Sequence, residues 1–219
     1  HILFAMTTPP MPRALSRFKV LDLSRVRSGP NCVRVLADFG ADVLRIEPPA
    51  GVDPNEVLFA ANRDGGDFQN LNRNKRSLTL NLKKPGALDI LMRLVAQADV
   101  LVENTKPGTL PRHGFTPEEI LRINPNIIYC AISGYGEDSP YRGLGGMDTT
   151  IQGMSGIMAL TRVNDVPYKT GISIADLHAG QFALVAVLGA LACRARTGCG
   201  QYLAMSMQDA ADWVTRTDW

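Results

Sequence analysis

The sequence lacks most of the features that mark small, secreted or membrane-bound folds. Aromatic residues make up only 6% of it. The four cysteines, Cys32, Cys130, Cys193 and Cys199, include no C-x-x-C pair. That excludes the common zinc spacings and, at this length, a secreted disulfide framework. They read as free core thiols of a reducing compartment. Charge of one sign is also missing: 23 Lys and Arg against 21 Asp and Glu leave +2. No broad cationic field therefore points to a nucleic-acid partner. The longest apolar run, Phe182–Cys193, is too short to span a membrane and reads as a buried helix. No repeat or low-complexity tract is evident, and His1–Arg13, whose apolar stretch Ile2–Ala5 is too short, is not read as a secretory signal, so a cytoplasmic protein is expected.

What is present is globular. Hydrophobic residues make up 45% of the 219 residues and charged residues 20%. Such a chain buries a core without disulfides or metals and holds one large domain, or one and part of a second. Phe18–Leu23 and Asp42–Glu47 read as strands around a helix at Pro30–Phe39, which Gly40 ends. This β-α-β start predicts a parallel sheet. Further strands are expected at Ser77–Leu82, Asp99–Glu103, Asn126–Ser133 and Gln201–Ser206. Helices are expected at Lys84–Ala98, Thr116–Ile123, Asp148–Leu160 and Ile174–Arg194, and from Gln208 onward. Pro48–Asn70, Gly134–Gly146 and 161–171 read as loops. The order predicts an α/β fold, a Rossmann-like parallel sheet with helices on both faces. The first crossover, Leu23–Pro30, contains only Gly29 and no G-x-G-x-x-G, so no nicotinamide or flavin site is expected.

Two features carry chemistry. Asp176 stands at the start of the longest helix, between Gly171 and Gly180. Taken alone, it reads as a helix-start charge or as a reactive carboxylate. Asn72, Arg73, Asn74, Lys75 and Arg76 form the densest polar-basic cluster. It reads as a solvated face or as an anion site.

Seven segments add a resemblance: LDLSRVRSGP (21–30), FGADVLRIEPP (39–49), LNRNKRSLTLNL (71–82), ADVLVENTKPGTL (98–110), ISGYGEDSPY (132–141), GISIADLHAG (171–180) and MSMQDA (205–210). In this order they resemble the family III CoA-transferases, the carnitine-dehydratase and bile-acid-inducible type that includes formyl-CoA transferase. The resemblance runs over roughly Leu15–Asp212.

The resemblance implies CoA transfer from an acyl-CoA to a small carboxylic acid, with Asp176 as the catalytic nucleophile. In that family the donor acyl group forms an aspartyl anhydride, and CoA is then held as an aspartyl-CoA thioester. The exchange is nearly isoenergetic and needs no metal. The helix N-terminus at Asp176 is expected to favour its ionised form and to offer N–H donors to the oxyanion. Asn72, Lys75 and Arg76 are the first choices for CoA, with Asn104, Thr105 and Arg112 as further contacts. Tyr135 matches an active-site tyrosine and Met207 a channel-lining residue. Arg25 and Arg27 stand where relatives vary.

Two other readings stay open, an α-methylacyl-CoA racemase and an inactive CoA-binding fragment. Racemases of this type carry His before Asp in a G-H-D context, whereas this chain has Gly146-Met147-Asp148. Methionine cannot shuttle a proton. His178 is two residues past Asp176 and points to another helix face. Residues 1–14 are expected to be a disordered leader, 15–212 the large CoA-binding domain, and 213–219 the start of a helix leading to a missing remainder. The family's chains are longer, with a Gly-rich loop over the acyl group and two chains interlocked as a homodimer. No nucleic acid or membrane partner is expected.

Overall fold

The computed structural model describes residues 13–52 and 63–216. The expected leader therefore lies largely outside the described residues, as do 217–219 and the centre of the loop after residue 48. The strands are β1 (Lys19–Asp22), β2 (Asp42–Glu47), β3 (Lys75–Thr79), β4 (Val100–Glu103), β5 (Ile128–Ser133), the short β6 (Arg162–Val163) and β7 (Val166–Pro167), and β8 (Gln201–Ser206). The helices are α1 (Ser28–Asp38), α2 (Gly66–Asn72), α3 (Ala87–Val95), α4 (Pro117–Ile123), α5 (Asp148–Met154), α6 (Ile157–Leu160), α7 (Ile174–Thr197) and α8 (Met207–Thr215).

Six strands form one parallel sheet in the order β3-β2-β1-β4-β5-β8. Side chains alternate across it. Val20, Val100, Val102, Ile128 and Cys130 pack under α1 and α7. Leu21, Leu101, Ile127 and Tyr129 pack on the other side with α3 and α4. The expected α/β sheet with helices on both faces is borne out. The chain moves outward from β1 to β3, then returns to place β4 on the other side of β1. That reversal opens a crevice at the carboxyl ends of β1 and β4, where open α/β sheets bind ligands.

The local differences have physical causes. β3 runs two residues earlier than expected because its register with β2 pairs Val43 with Lys75 and Glu47 with Thr79. Leu80 and Leu82 therefore pass beyond the sheet. The expected helix at Asp148–Leu160 is two helices, because Gly156 takes a left-handed φ of 80°. Residues 161–171 contain the two-strand hairpin β6–β7, and α2 forms inside the expected 48–70 loop. The 24-residue α7 is long and apolar enough by composition to cross a membrane. Here it lies along the sheet and buries Ala175, Ala179, Ala183, Leu184 and Val187.

Candidate active site

The first turn of α7 carries Asp176. Its amides are all occupied. Ile174 N donates to Ile172 O at 2.9 Å, and Ala175 N and Asp176 N donate to Asp148 Oδ1 at 3.0 and 3.3 Å. A carboxylate from α5 thus caps α7 across space, 28 residues from Asp176 in sequence. Asp148 Oδ2 accepts from Gln152 Nε2 at 2.7 Å. Gln152 also donates to Ile172 O at 3.3 Å, and its Oε1 accepts from Thr170 N and Oγ1 at 2.9 and 3.1 Å.

Two expectations are corrected here. The α7 N-terminus has no spare N–H for an oxyanion, and it does not favour ionised Asp176. Burial, and then the charge of Asp148, push that carboxyl up to about 6. Arg27 and hydrogen bonds from the Ser28 N–H and hydroxyl pull the other way.

The close approach of α1 and α7 brings Ser28 to this carboxyl. Gly180 lies one turn beyond Asp176, and a Cβ there would sit 2.6 Å from Ser28 O and 2.9 Å from Asn31 Nδ2. A Cβ on Gly29 would collide with Ser24. The 24–28 loop is tied to the loop after β4 by Asn104. Asn104 Oδ1 accepts from Arg25 N at 2.7 Å, and its Nδ2 donates to Arg25 O at 2.8 Å and Ser28 Oγ at 3.1 Å. Glu103 Oε2 anchors the next residue by accepting from Thr105 N and Oγ1, both at 2.6 Å.

A cavity of about 520 Å³ opens at the crevice. Its apolar wall is Leu23, Ile46, Leu71, Leu80, Leu88, Leu110 and Phe115. Arg25, Arg45, Arg63, Lys83 and His113 add cationic or polar groups. Burial, and then Arg45, hold Arg25 below its ordinary value. Glu47 is buried at the wall. Desolvation would raise it, but Ser77, Arg63 and Arg45 outweigh that and hold it below the usual carboxylate range.

The residues singled out from the sequence fall into three places. Arg25, Asn72 and Thr105 line the cavity, with Asn104 bracing its rim. Asn72 Nδ2 donates to Phe68 O, while its buried Oδ1 has no partner among the described residues. Arg27 links the cavity lining to Asp176. It forms a two-pronged bond with the cavity-lining Asp67 at 3.0 and 2.9 Å and acts electrostatically on Asp176. Tyr135 and Met207 are buried in the apolar cluster that also holds Ala175 and Ile151, and Tyr135 packs on Tyr141 at 5.6 Å.

Three cations lie elsewhere. Lys75, expected on a phosphate, is buried with its Nζ 2.8 Å from Asp22 Oδ2 and 3.2 Å from Pro30 O. It braces β1 and the start of α1. Arg76 turns to Asp42 at the opposite, amino-terminal end of the strands. Arg112 is exposed and donates to Gly108 O, beside the cavity-lining His113. Sequence reasoning missed Ser28, Asp148 and Gln152 as parts of the site. Two signals were available: the Gly146-Met147-Asp148 counterpart of the G-H-D motif, and the four-residue spacing that puts Asp148 and Gln152 on one helix face.

Fold and site together define an α/β protein with a switch-point cavity and, linked to it through Arg27 and Asp67, a half-buried carboxyl at a helix start. The chain belongs to CoA-transferase family III, whose sequence profile matches residues 15–219. The resemblance seen in the seven segments is thereby borne out. The chain is 38% identical over 209 residues to a succinate–glutarate CoA-transferase of Agrobacterium fabrum, covering 91% of this chain and 52% of that one. It is 39% identical over 208 residues to a formyl-CoA:oxalate CoA-transferase of Escherichia coli O6:H1, covering 94% and 49%. Among solved structures, a CaiB/BaiF family protein from Brucella suis superimposes with a TM-score of 0.85 at 37% identity, covering 94% and 56%. The chain spans about half the length of the curated relatives it matches.

Proposed function

We propose that the protein moves CoA from an acyl-CoA to a free carboxylic acid, with Asp176 as the acyl carrier. The observation that carries this reading is the Asp176 carboxyl itself, half-buried beside Ser28 and Arg27, the latter bonded to the cavity-lining Asp67. A carboxyl pushed up to about 6 is ionised above pH 7, yet it is poorly hydrated and so more nucleophilic than a surface carboxylate.

Asp176 attacks the thioester carbonyl carbon. The C–S bond breaks and the CoA thiolate leaves, giving a mixed anhydride. The thiolate then attacks the Asp176 carbonyl and releases the donor acid as its carboxylate, leaving an aspartyl-CoA thioester. The acceptor carboxylate attacks that thioester and displaces the thiolate once more. Attack of the thiolate on the new acyl carbonyl yields the new acyl-CoA and frees Asp176. Because Asp148 occupies the α7 amides, oxyanion stabilisation falls to other donors, and Ser28 N–H and Arg27 are the groups that face the carboxyl.

The cavity suits the rest of CoA. Its leucine-rich wall accepts the adenine and pantetheine, and Arg25, Arg45, Arg63 and Lys83 suit the phosphates. Asn72, whose buried oxygen has no partner among the described residues, and Thr105 complete that wall. Acyl-CoA and a small carboxylic acid are then the substrates, and an interlocked homodimer in the cytoplasm completes the reading. The test is to incubate the intact protein with several acyl-CoAs and free acids, wild type beside Asp176→Ala. New acyl-CoA from the wild type and none from the variant is expected. Undiminished transfer by Asp176→Ala would exclude the covalent route.

A further inference from the structure

Asp148 and Gln152 are buried polar side chains that stand outside the reaction just described. Such groups destabilise a fold unless fully hydrogen-bonded. Here each bond is directed at one place. Asp148 holds two amides of the first turn of α7, one of them the Asp176 N–H. Gln152 holds Asp148 in place and clamps Thr170, in the segment that leads into α7. The first turn of α7 is therefore gripped from α5, with the acyl-carrying residue inside the grip.

We infer that Asp148 is the positioning residue of this site: its carboxylate fixes the Asp176 backbone, and its charge adds to burial in disfavouring the ionised Asp176 side chain. The charged groups acting on Asp176 are Asp148 from α5 and Arg27 from the start of α1, with opposite signs. An apolar or neutral cap at residue 148 would leave Arg27 unopposed and stabilise the ionised, less basic carboxylate. The grip thus holds the nucleophile in one orientation while keeping it more basic than an ordinary aspartate. Its catalytic half rests on the reading of Asp176 as acyl carrier. Its electrostatic half does not.

The test separates the two. In the intact protein, aspartates carrying ¹³C carboxyls are titrated by NMR, and the Asp176 signal is assigned by its loss in Asp176→Asn. The wild-type midpoint is expected near 6. In Asp148→Asn it should move about one pH unit toward acid. The double variant Asp148→Asn/Gln152→Glu restores the hydrogen bonds, except the long one to Ile172 O, with the charge one side chain further away. It should stay on the acid side, and it decides the question if the single variant fails to fold. A midpoint unchanged in a folded variant overturns the inference. In the acyl-CoA assay, Asp148→Ala should lose about tenfold in kcat with KM unchanged, and an unchanged kcat also overturns it. If the wild type transfers no CoA, the functional reading falls while the titration still decides the role of Asp148.

Discussion

Replacing Asp176 by Asn should stabilise the protein at neutral and alkaline pH. The folded chain holds this carboxyl at about 6, against an ordinary 3.8. Between those values the folded state binds a proton that the unfolded state has already lost. Stability therefore falls as pH rises through that window and stays lower above it. A displacement of about two pH units, at about 1.4 kcal/mol each, amounts to about 3 kcal/mol. Asparagine keeps the shape and the acceptor oxygen for the Ser28 N–H and so stands in for the neutral acid, and the expected gain is therefore also about 3 kcal/mol. Urea denaturation at pH 8, 6 and 4 measures it. The gain should be full at pH 8 and shrink toward zero at pH 4. No gain at pH 8, or the same gain at pH 4, would refute the argument that burial and Asp148 hold this carboxyl under electrostatic stress.

Lys75→Met strands the buried Asp22 without its cation and should cost about 3–5 kcal/mol in urea denaturation. Adding Asp22→Asn should recover much of that, since the Ser24 bonds to residue 22 survive. Arg76→Ala removes only an exposed pair with Asp42, so stability should change by less than about 0.5 kcal/mol. Its KM for acyl-CoA should not change either, and a large rise would contradict a head group turned away from the cavity. Gly29→Ala drives a methyl into Ser24 at the base of the 24–28 loop, and calorimetry should show weakened acyl-CoA binding with the fold retained.

The sheet was legible because its strands announce themselves by alternation and turn residues. Asp42–Glu47 and Gln201–Ser206 form the strands expected of them, residue for residue. Asp176 was legible as a candidate through the resemblance, since its place at a helix start before Gly180 alone suits a simple helix-start charge. The grip around it was not, because Asp148 meets Ala175 and Asp176 through space and nothing local in 146–152 announces that partner. The Asn72–Arg76 cluster misled for a simpler reason. Neighbouring residues on a strand face opposite ways, so Lys75 enters the interior to meet Asp22 while Arg76 points out to Asp42. A cluster in sequence was read as a cluster in space. The longest helix, expected at Ile174–Arg194, runs three residues further. Its last residues are Ala195, Arg196 and Thr197, and Gly198 closes it at a left-handed φ of 74°.

The central claim is that Asp176 carries the acyl group. The most direct test mixes the intact protein with an acyl-CoA and no acceptor acid, traps with hydroxylamine, and locates the modified peptide by mass spectrometry. A hydroxamate on Asp176, absent from Asp176→Asn, is the predicted result. CoA transfer with no adduct on Asp176, or with the adduct on another residue, would contradict it.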